Sequence, residues 1–465
     1  MHDLVRSIVQ DFNIDDASRA PIFGLASTVT CHIFRQINDR NSPKSWPRCE
    51  LIVPHIDALR QSIDLIERPH PDLVWAGVEE ARYLLSRGRY ADAEGLYRQE
   101  LEQRGRTSQV GQVHSEAVLQ GLADTLQKQG RFKEAERLYS EALGTDTILE
   151  KATIEQLRAA QGLVNIYDKQ GKYADAVKLG ERTLKILERK IGESHPDTIQ
   201  TMHNLGLAYG HQAEYEKAER LFKHVLDVEE GAESFGPDHP DTLRTVNALA
   251  NLYDRKHEYG NAAGYYMRAI EGRKKLFGAS HTQTIRSLCG LANLYMREGK
   301  LQDSKALYTS ALNDCEKNSP VDTPDTMRAV HGIASVLTSQ GQYSESERLY
   351  RRAIAGRTAL LGEEHVDTLR SMEGLAFAYT KVGRYSDAEN LYRKVLSGKS
   401  KTFGTGHSET ATTVRNIALM AASRSKTAME QKGAMKAKDA VDGRDVVEGK
   451  AYTDATQKHA RDTKS

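Results

Sequence analysis

"FGPDHPDTLRTVNALANLYDRKHEY" fills residues 235–259 and crowds His239, Pro240 and Asp241 into what reads at first as a catalytic patch. The stretches "IGESHPDTIQTMHNLGLAYGHQAEY", ending at Tyr215, and "LGEEHVDTLRSMEGLAFAYTKVGRY", ending at Tyr385, repeat its pattern. The patch is therefore one copy of a repeated unit. Marked by Tyr90, Phe132, Tyr173, Tyr215, Tyr259, Leu301, Tyr343 and Tyr385, the copies are spaced by 42, 41, 42, 44, 42, 42 and 42 residues. A fixed period of this length is the signature of a repeat array rather than of a single compact core.

Inside a copy the apolar spacing is helical. Met202, Leu205, Gly206 and Tyr209 stand at i, i+3, i+4 and i+7; "HQAEY" then turns the chain, and Ala218, Leu221, Phe222 and Val225 repeat the stripe. Small residues in the first helix (Ala123, Gly206, Ala250, Ala292, Ala334, Ala376) and in the second (Ala135, Ala176, Ala218, Ala262, Ala388) let the pair approach closely, with Ser304 and Ser346 as substitutes. Glycines at 88, 130, 171, 299, 341 and 383 suit a turn that needs positive φ, whereas Ala213 and His257 occupy that place in two copies and predict less relaxed turns. "HPDT" predicts a helix start, with proline in the first turn and Asp or Thr accepting from unpaired N–H groups. Histidines 195, 239, 281, 365 and 407 recur there once per copy, and Thr323 replaces one, which argues for structure rather than catalysis.

This order of Leu, small residue, Tyr, Gly, Tyr, Ala and Tyr resembles the tetratricopeptide repeat. The 42-residue length with its "FGxxHxDT" linker is similar to the long variant of kinesin light chains. The resemblance covers roughly residues 72–424 and implies an all-α, right-handed superhelical solenoid of about eight helix-turn-helix repeats. A unit of this kind cannot bury its stripe alone, so neighbours stack around a concave groove lined by first helices. Residues 408–424 repeat a first helix without its partner and are expected to cap the array.

Residues 1–71 leave the period and are expected to form a helical lead-in of short amphipathic segments. Met1–Val5, "MHDLV", followed by "SWPRCELIVPHIDAL", resembles the winged-helix end and repeat junction of fungal NLR-like STAND NTPases. That resemblance implies a sensor part acting with a separate nucleotide-binding module. Residues 425–465, with one aromatic and mixed charge, are expected to be disordered.

The 465 residues carry 65 basic and 64 acidic side chains, so no net field recruits nucleic acid or an anionic membrane. Four scattered cysteines fit neither a disulfide framework nor a zinc site and read as reduced thiols. With no apolar run of spanning length and no secretory leader pattern, a cytoplasmic protein is expected. "LSGKS" at residues 396–400 imitates the end of a phosphate loop, but Arg393 stands where its first glycine belongs. Neither H-E-x-x-H, G-x-S-x-G nor C-x-x-C occurs, so no catalytic residue, metal or cofactor is expected.

The groove is the better place for function. Counting two, five, nine and thirteen residues from each linker Thr gives one helical face. The candidate peptide-binding residues on it are Arg244, Asn247, Asn251 and Arg255, then Arg286, Asn293 and Arg297, then Arg328 and His331, and finally Arg370, Phe377 and Lys381. An arginine ladder with asparagines suits an acidic or carboxylate-terminated peptide. Kinesin light chains bind acidic, tryptophan-containing peptides in their groove, and the resemblance implies a similar mode. The other reading is that the arginines pair with Asp241, Asp325 and their like and only stabilise the stack. The expectation is a protein or peptide partner held by a non-catalytic scaffold; a kinesin-light-chain-like cargo adaptor is the alternative, although residues 1–71 lack the heptads needed to join a motor.

Overall fold

The computed structural model describes residues 16–37, 45–61, 71–106, 112–144, 148–231, 236–318 and 322–432. Met1–Val5, the first half of the STAND-like resemblance, and residues 433–465 lie outside them, whereas "SWPRCELIVPHIDAL" falls within them. Among the described residues the chain forms nineteen α-helices, one 3-10 turn (Leu149–Lys151) and no strand. Two helices lead in, α1 (Asp16–Arg35) and α2 (Trp46–Gln61). Eight pairs follow: α3 (Pro71–Ser86) with α4 (Tyr90–Arg106), α5 (Gln112–Lys128) with α6 (Phe132–Leu143), α7 (Ile154–Lys169) with α8 (Tyr173–Ile191), and α9 (Pro196–His211) with α10 (Tyr215–Gly231). The rest are α11 (Pro240–Arg255) with α12 (Tyr259–Phe277), α13 (Thr282–Arg297) with α14 (Leu301–Asn318), α15 (Pro324–Ser339) with α16 (Tyr343–Leu361), and α17 (Val366–Lys381) with α18 (Tyr385–Phe403). The last helix, α19, spans 408–432 and continues past the expected boundary at 424.

Each helix start is built differently from the "HPDT" expectation. The N-cap is the histidine, whose extended backbone aims ring Nδ1 at the N–H two residues on. His195 accepts from Asp197 at 3.1 Å, His365 from Asp367 at 3.1 Å and His407 from Glu409 at 3.0 Å. The linker threonine is already inside the first turn, and its buried hydroxyl donates backwards to the glycine that ended the preceding helix. Thr198 reaches Gly192 O at 2.7 Å and Thr368 reaches Gly362 O at 2.8 Å. Only where histidine is missing does a threonine cap: Thr323 forms a reciprocal box with Thr326. Ala213 and His257 do adopt positive φ, 67° and 61°, in the two turns that lack glycine.

Neighbouring repeats lock through an aromatic ring and a glycine. Tyr308 of α14 presses so closely on α15 that a Cβ at Gly332 would lie 2.2 Å from the ring, and Tyr97/Gly121, Tyr139/Gly162, Tyr266/Gly290 and Tyr350/Gly374 repeat the fit. The pairing inverts once. Gly180 of α8 stands where the other second helices carry an aromatic, and Leu205 and Val164 close on it from the adjacent first helices.

The array curves until its last pair returns over earlier ones. Phe403 packs on Phe132 with ring centroids 5.7 Å apart, His365 Nε2 lies 3.4 Å from Lys128 O, and a Cβ at Gly171 would sit 2.7 Å from the His407 ring. Successive turns of the solenoid therefore touch.

Candidate interaction groove

First helices pack against the first helices of adjacent repeats and form the inner layer. All twelve candidate residues lie on α11, α13, α15 and α17 of this layer, in four rows. The arginine row is mostly paired. Arg244 contacts Asp241 at 3.3 Å and donates to Gln200 of the preceding repeat. Arg328 lies 3.6 Å from Asp325, and Arg370 bridges Asp367 at 3.4 Å and Glu409 at 2.8 Å. Arg286 differs because its helix has Gln283 where the others have Asp. It is exposed, with no ion pair or hydrogen bond among the described residues.

The second row turns inward. Asn247 accepts from Arg273 at 3.2 Å and from Ser287 at 2.8 Å; His331 faces Ser371 at 3.3 Å and stacks edge-on to Tyr350. Burial, helped by the Arg357 cation, pushes the His331 imidazole down to about 3, so it is neutral. In the third row Asn251 and Asn293 accept from Tyr266 at 2.5 Å and Tyr308 at 2.7 Å, which leaves their amide N–H groups for the groove. Phe377, at 43% exposure, presents its ring with Lys381 Nζ 5.1 Å from the centroid. In the last row Arg297 pairs with Asp254 at 2.7 Å, while Arg255 is exposed.

Sequence reasoning missed the residues that hold the second row. Arg273, Arg357 and Lys399 stand at one position of α12, α16 and α18, each sealed between consecutive first helices. Arg273 reaches Asn247, Leu243 O and Gln283 O; Arg357 reaches Ser371 Oγ at 2.7 Å and Asp367 O at 2.6 Å; Lys399 reaches Glu373 at 2.7 Å and Glu409 at 3.0 Å. Burial lowers both guanidiniums to about 10. Their recurrence at multiples of 42 residues was a readable signal. The same contacts explain "LSGKS": its Lys399 is a helical structural cation, not a phosphate ligand.

Across the lumen the turns of early repeats face the starts of late first helices. Tyr90 lies in electrostatic reach of Arg286, Asp325, Asp367 and Arg328. Lys128 keeps solvent contact, yet desolvation by the surrounding protein, then Arg286, hold its amine below the ordinary lysine value. Asp124, also solvent-touched, is pushed up by the same desolvation against the pull of Tyr139. Among the described residues no three His, Cys, Asp or Glu side chains are placed to hold a metal, and no helix is long and apolar enough to cross a membrane.

Tetratricopeptide-repeat profiles match residues 117–145, 155–231, 242–283 and 325–401. The chain is similar in fold to BtubC (BKLC) from P. vanneervenii, at 18% identity and a TM-score of 0.38, over 56% of this chain and 94% of that one. It is also similar to a Podosopora anserina putative kinesin light chain with nearly identical TPR-like repeats (20%, 0.26, 53% and 96%) and to the quorum sensor NprR from B. thuringiensis (13%, 0.48, 76% and 94%). No curated protein matches the sequence.

Proposed function

We propose that this tetratricopeptide-repeat solenoid is a non-catalytic adaptor that holds an extended, acidic or carboxylate-terminated segment of a partner protein along its inner face. The observation that carries the reading is Arg286. Its neighbours in the ladder, Arg244, Arg328 and Arg370, are each neutralised by an aspartate one turn earlier, and Arg286 is not. A guanidinium that is charged, exposed and carried on the inner layer of helices is a ready donor for a carboxylate. The amide N–H groups of Asn251 and Asn293 flank it and suit the carbonyls of an extended chain. Phe377 under Lys381 offers an apolar stop further along. The chemistry is recognition by charge-assisted hydrogen bonds, each worth about 1.5–3 kcal/mol.

Fluorescence anisotropy with a panel of labelled extended peptides, acidic and matched basic, tests the reading. Acidic peptides should bind, and Arg286→Glu should weaken them at least about tenfold, the equivalent of 1.4 kcal/mol. Equal binding of acidic and basic peptides, or an Arg286→Glu variant indistinguishable from the parent, would overturn it.

A further inference from the structure

The two late linker histidines, His365 and His407, reach across to another turn of the solenoid. In each, Nδ1 is occupied as the acceptor for its own helix start, so the neutral ring carries its proton on Nε2. That fixed N–H points away from the repeat. At His365 it meets Lys128 O at 3.4 Å, and at His407 it meets the Lys169 backbone. Both acceptors are the last carbonyls of first helices, α5 and α7, which a helix end leaves without an internal donor. The turns that follow spend their own N–H groups on Leu126, Gln127, Tyr167 and Asp168 instead. Between these two bonds, Val366 comes to within 3.7 Å of a Cβ built at Gly130, and Phe403, stacked on His407 at 4.5 Å, covers Phe132. At His195 the same cap bond is present, and among the described residues its ring meets no other turn of the solenoid.

We propose that His365 and His407, with Phe403 between them, form a latch that shuts the solenoid on itself and controls entry to the inner face. The seam is suited to opening. Consecutive repeats share whole helix faces, but this contact joins only the edge of α17, α18 and the start of α19 to two turns and the start of α6. Latched, Arg286, Lys128 and Tyr90 face one another across a closed channel that admits an extended segment along the axis. Unlatched, the late repeats swing away and the inner face accepts a segment from the side. The regulatory meaning rests on the adaptor reading above, but the closure itself does not.

The test is resonance energy transfer between dyes on Lys133→Cys of α6 and Lys401→Cys of α18, two exposed positions on either side of the seam; the native cysteines 31, 49, 289 and 315 are buried. High transfer is expected in the otherwise native chain and a clear loss in His365→Ala/His407→Ala, with far-UV circular dichroism unchanged. His195→Ala loses an equivalent cap and should keep the transfer. His365→Asn/His407→Asn preserves a cap acceptor but is too short to cross the seam, and it should lose transfer even where the alanine pair frays. Low transfer in every protein, or an equal loss in His195→Ala, would overturn the latch. Because no ligand is present, a failure of peptide binding leaves these outcomes untouched.

Discussion

The Lys399 ammonium, fully buried near the end of α18, lies 2.7 Å from the Glu373 carboxylate of α17 and 3.0 Å from Glu409 of α19. One cation thus ties the last complete repeat to its cap. Removing it leaves Glu373 without its counter-charge and Glu409 with Arg370 alone. Lys399→Met should destabilise this end by about 3–5 kcal/mol, the usual result of breaking a buried pair from one side. Hydrogen exchange over residues 366–432 would show the loss, and Lys399→Met/Glu373→Leu should recover part of it. Unchanged protection in the single variant would deny the tie.

The Tyr308 ring leaves no room at Gly332. Gly332→Ala should cost about 1–3 kcal/mol through overpacking. At Gly264, in the middle of α12, a Cβ meets nothing, so Gly264→Ala should gain up to about 1 kcal/mol from helix propensity. Urea midpoints of the two variants should move in opposite directions.

Ala213 holds φ of 67° in the turn between α9 and α10. The left-handed region costs an L-residue about 1–2 kcal/mol, and glycine returns less than that in lost entropy. Ala213→Gly should raise the thermal midpoint slightly, whereas Gly341→Ala, at φ of 77°, should lower it.

Stability should fall on both sides of a mildly acidic optimum. His331 is depressed to about 3, so its contribution is complete above the ordinary imidazole value of 6.5 and is lost as pH drops from there towards 3. Glu229, buried at the end of α10 beside Thr245, is raised by desolvation to about 7. Its contribution is complete below the ordinary 4.5 and is lost as pH rises through 7. Glu229→Gln should therefore remove the alkaline decline, each pH unit in that window being worth at most about 1.4 kcal/mol. Urea midpoints at pH 6 and pH 8 decide it: a decline that survives the substitution assigns it to another group.

The repeat boundaries were legible because apolar periodicity and turn glycines are local, and every copy repeats the same evidence of burial. The helix starts were read two or three residues too late, since histidine is an uncommon cap and "HPDT" offers two better-known acceptors after it. The four rows lie on the inner helices, yet their spacing could not separate Arg286 from its paired neighbours. That distinction depends on Gln283, whose importance appears only once residues three apart are seen to bond. Arg273 and Arg357 were missed because cations on the outer helices read as solvated surface until the neighbouring repeat covers them. The closure of the solenoid lay beyond any local signal, since His365 and Lys128 are 237 positions apart.

The buried position shared by Glu229, Arg273, Cys315, Arg357 and Lys399 has a consequence for how such a chain is put together. Each of these five seams has its own polar fitting, an acid beside Thr245, a guanidinium on Asn247, a thiol near Cys289, a guanidinium among Ser371 and His331, an ammonium between two acids, while α8 puts the apolar Leu187 in the same place. Outwardly alike, the repeats are keyed. Exchanging α12 with α18 would put an ammonium against Asn247 and strand Glu373 against a longer, planar cation. The modules therefore cannot be shuffled like interchangeable bricks, and a duplicated or deleted repeat must rewrite its lock before it can join its new neighbour.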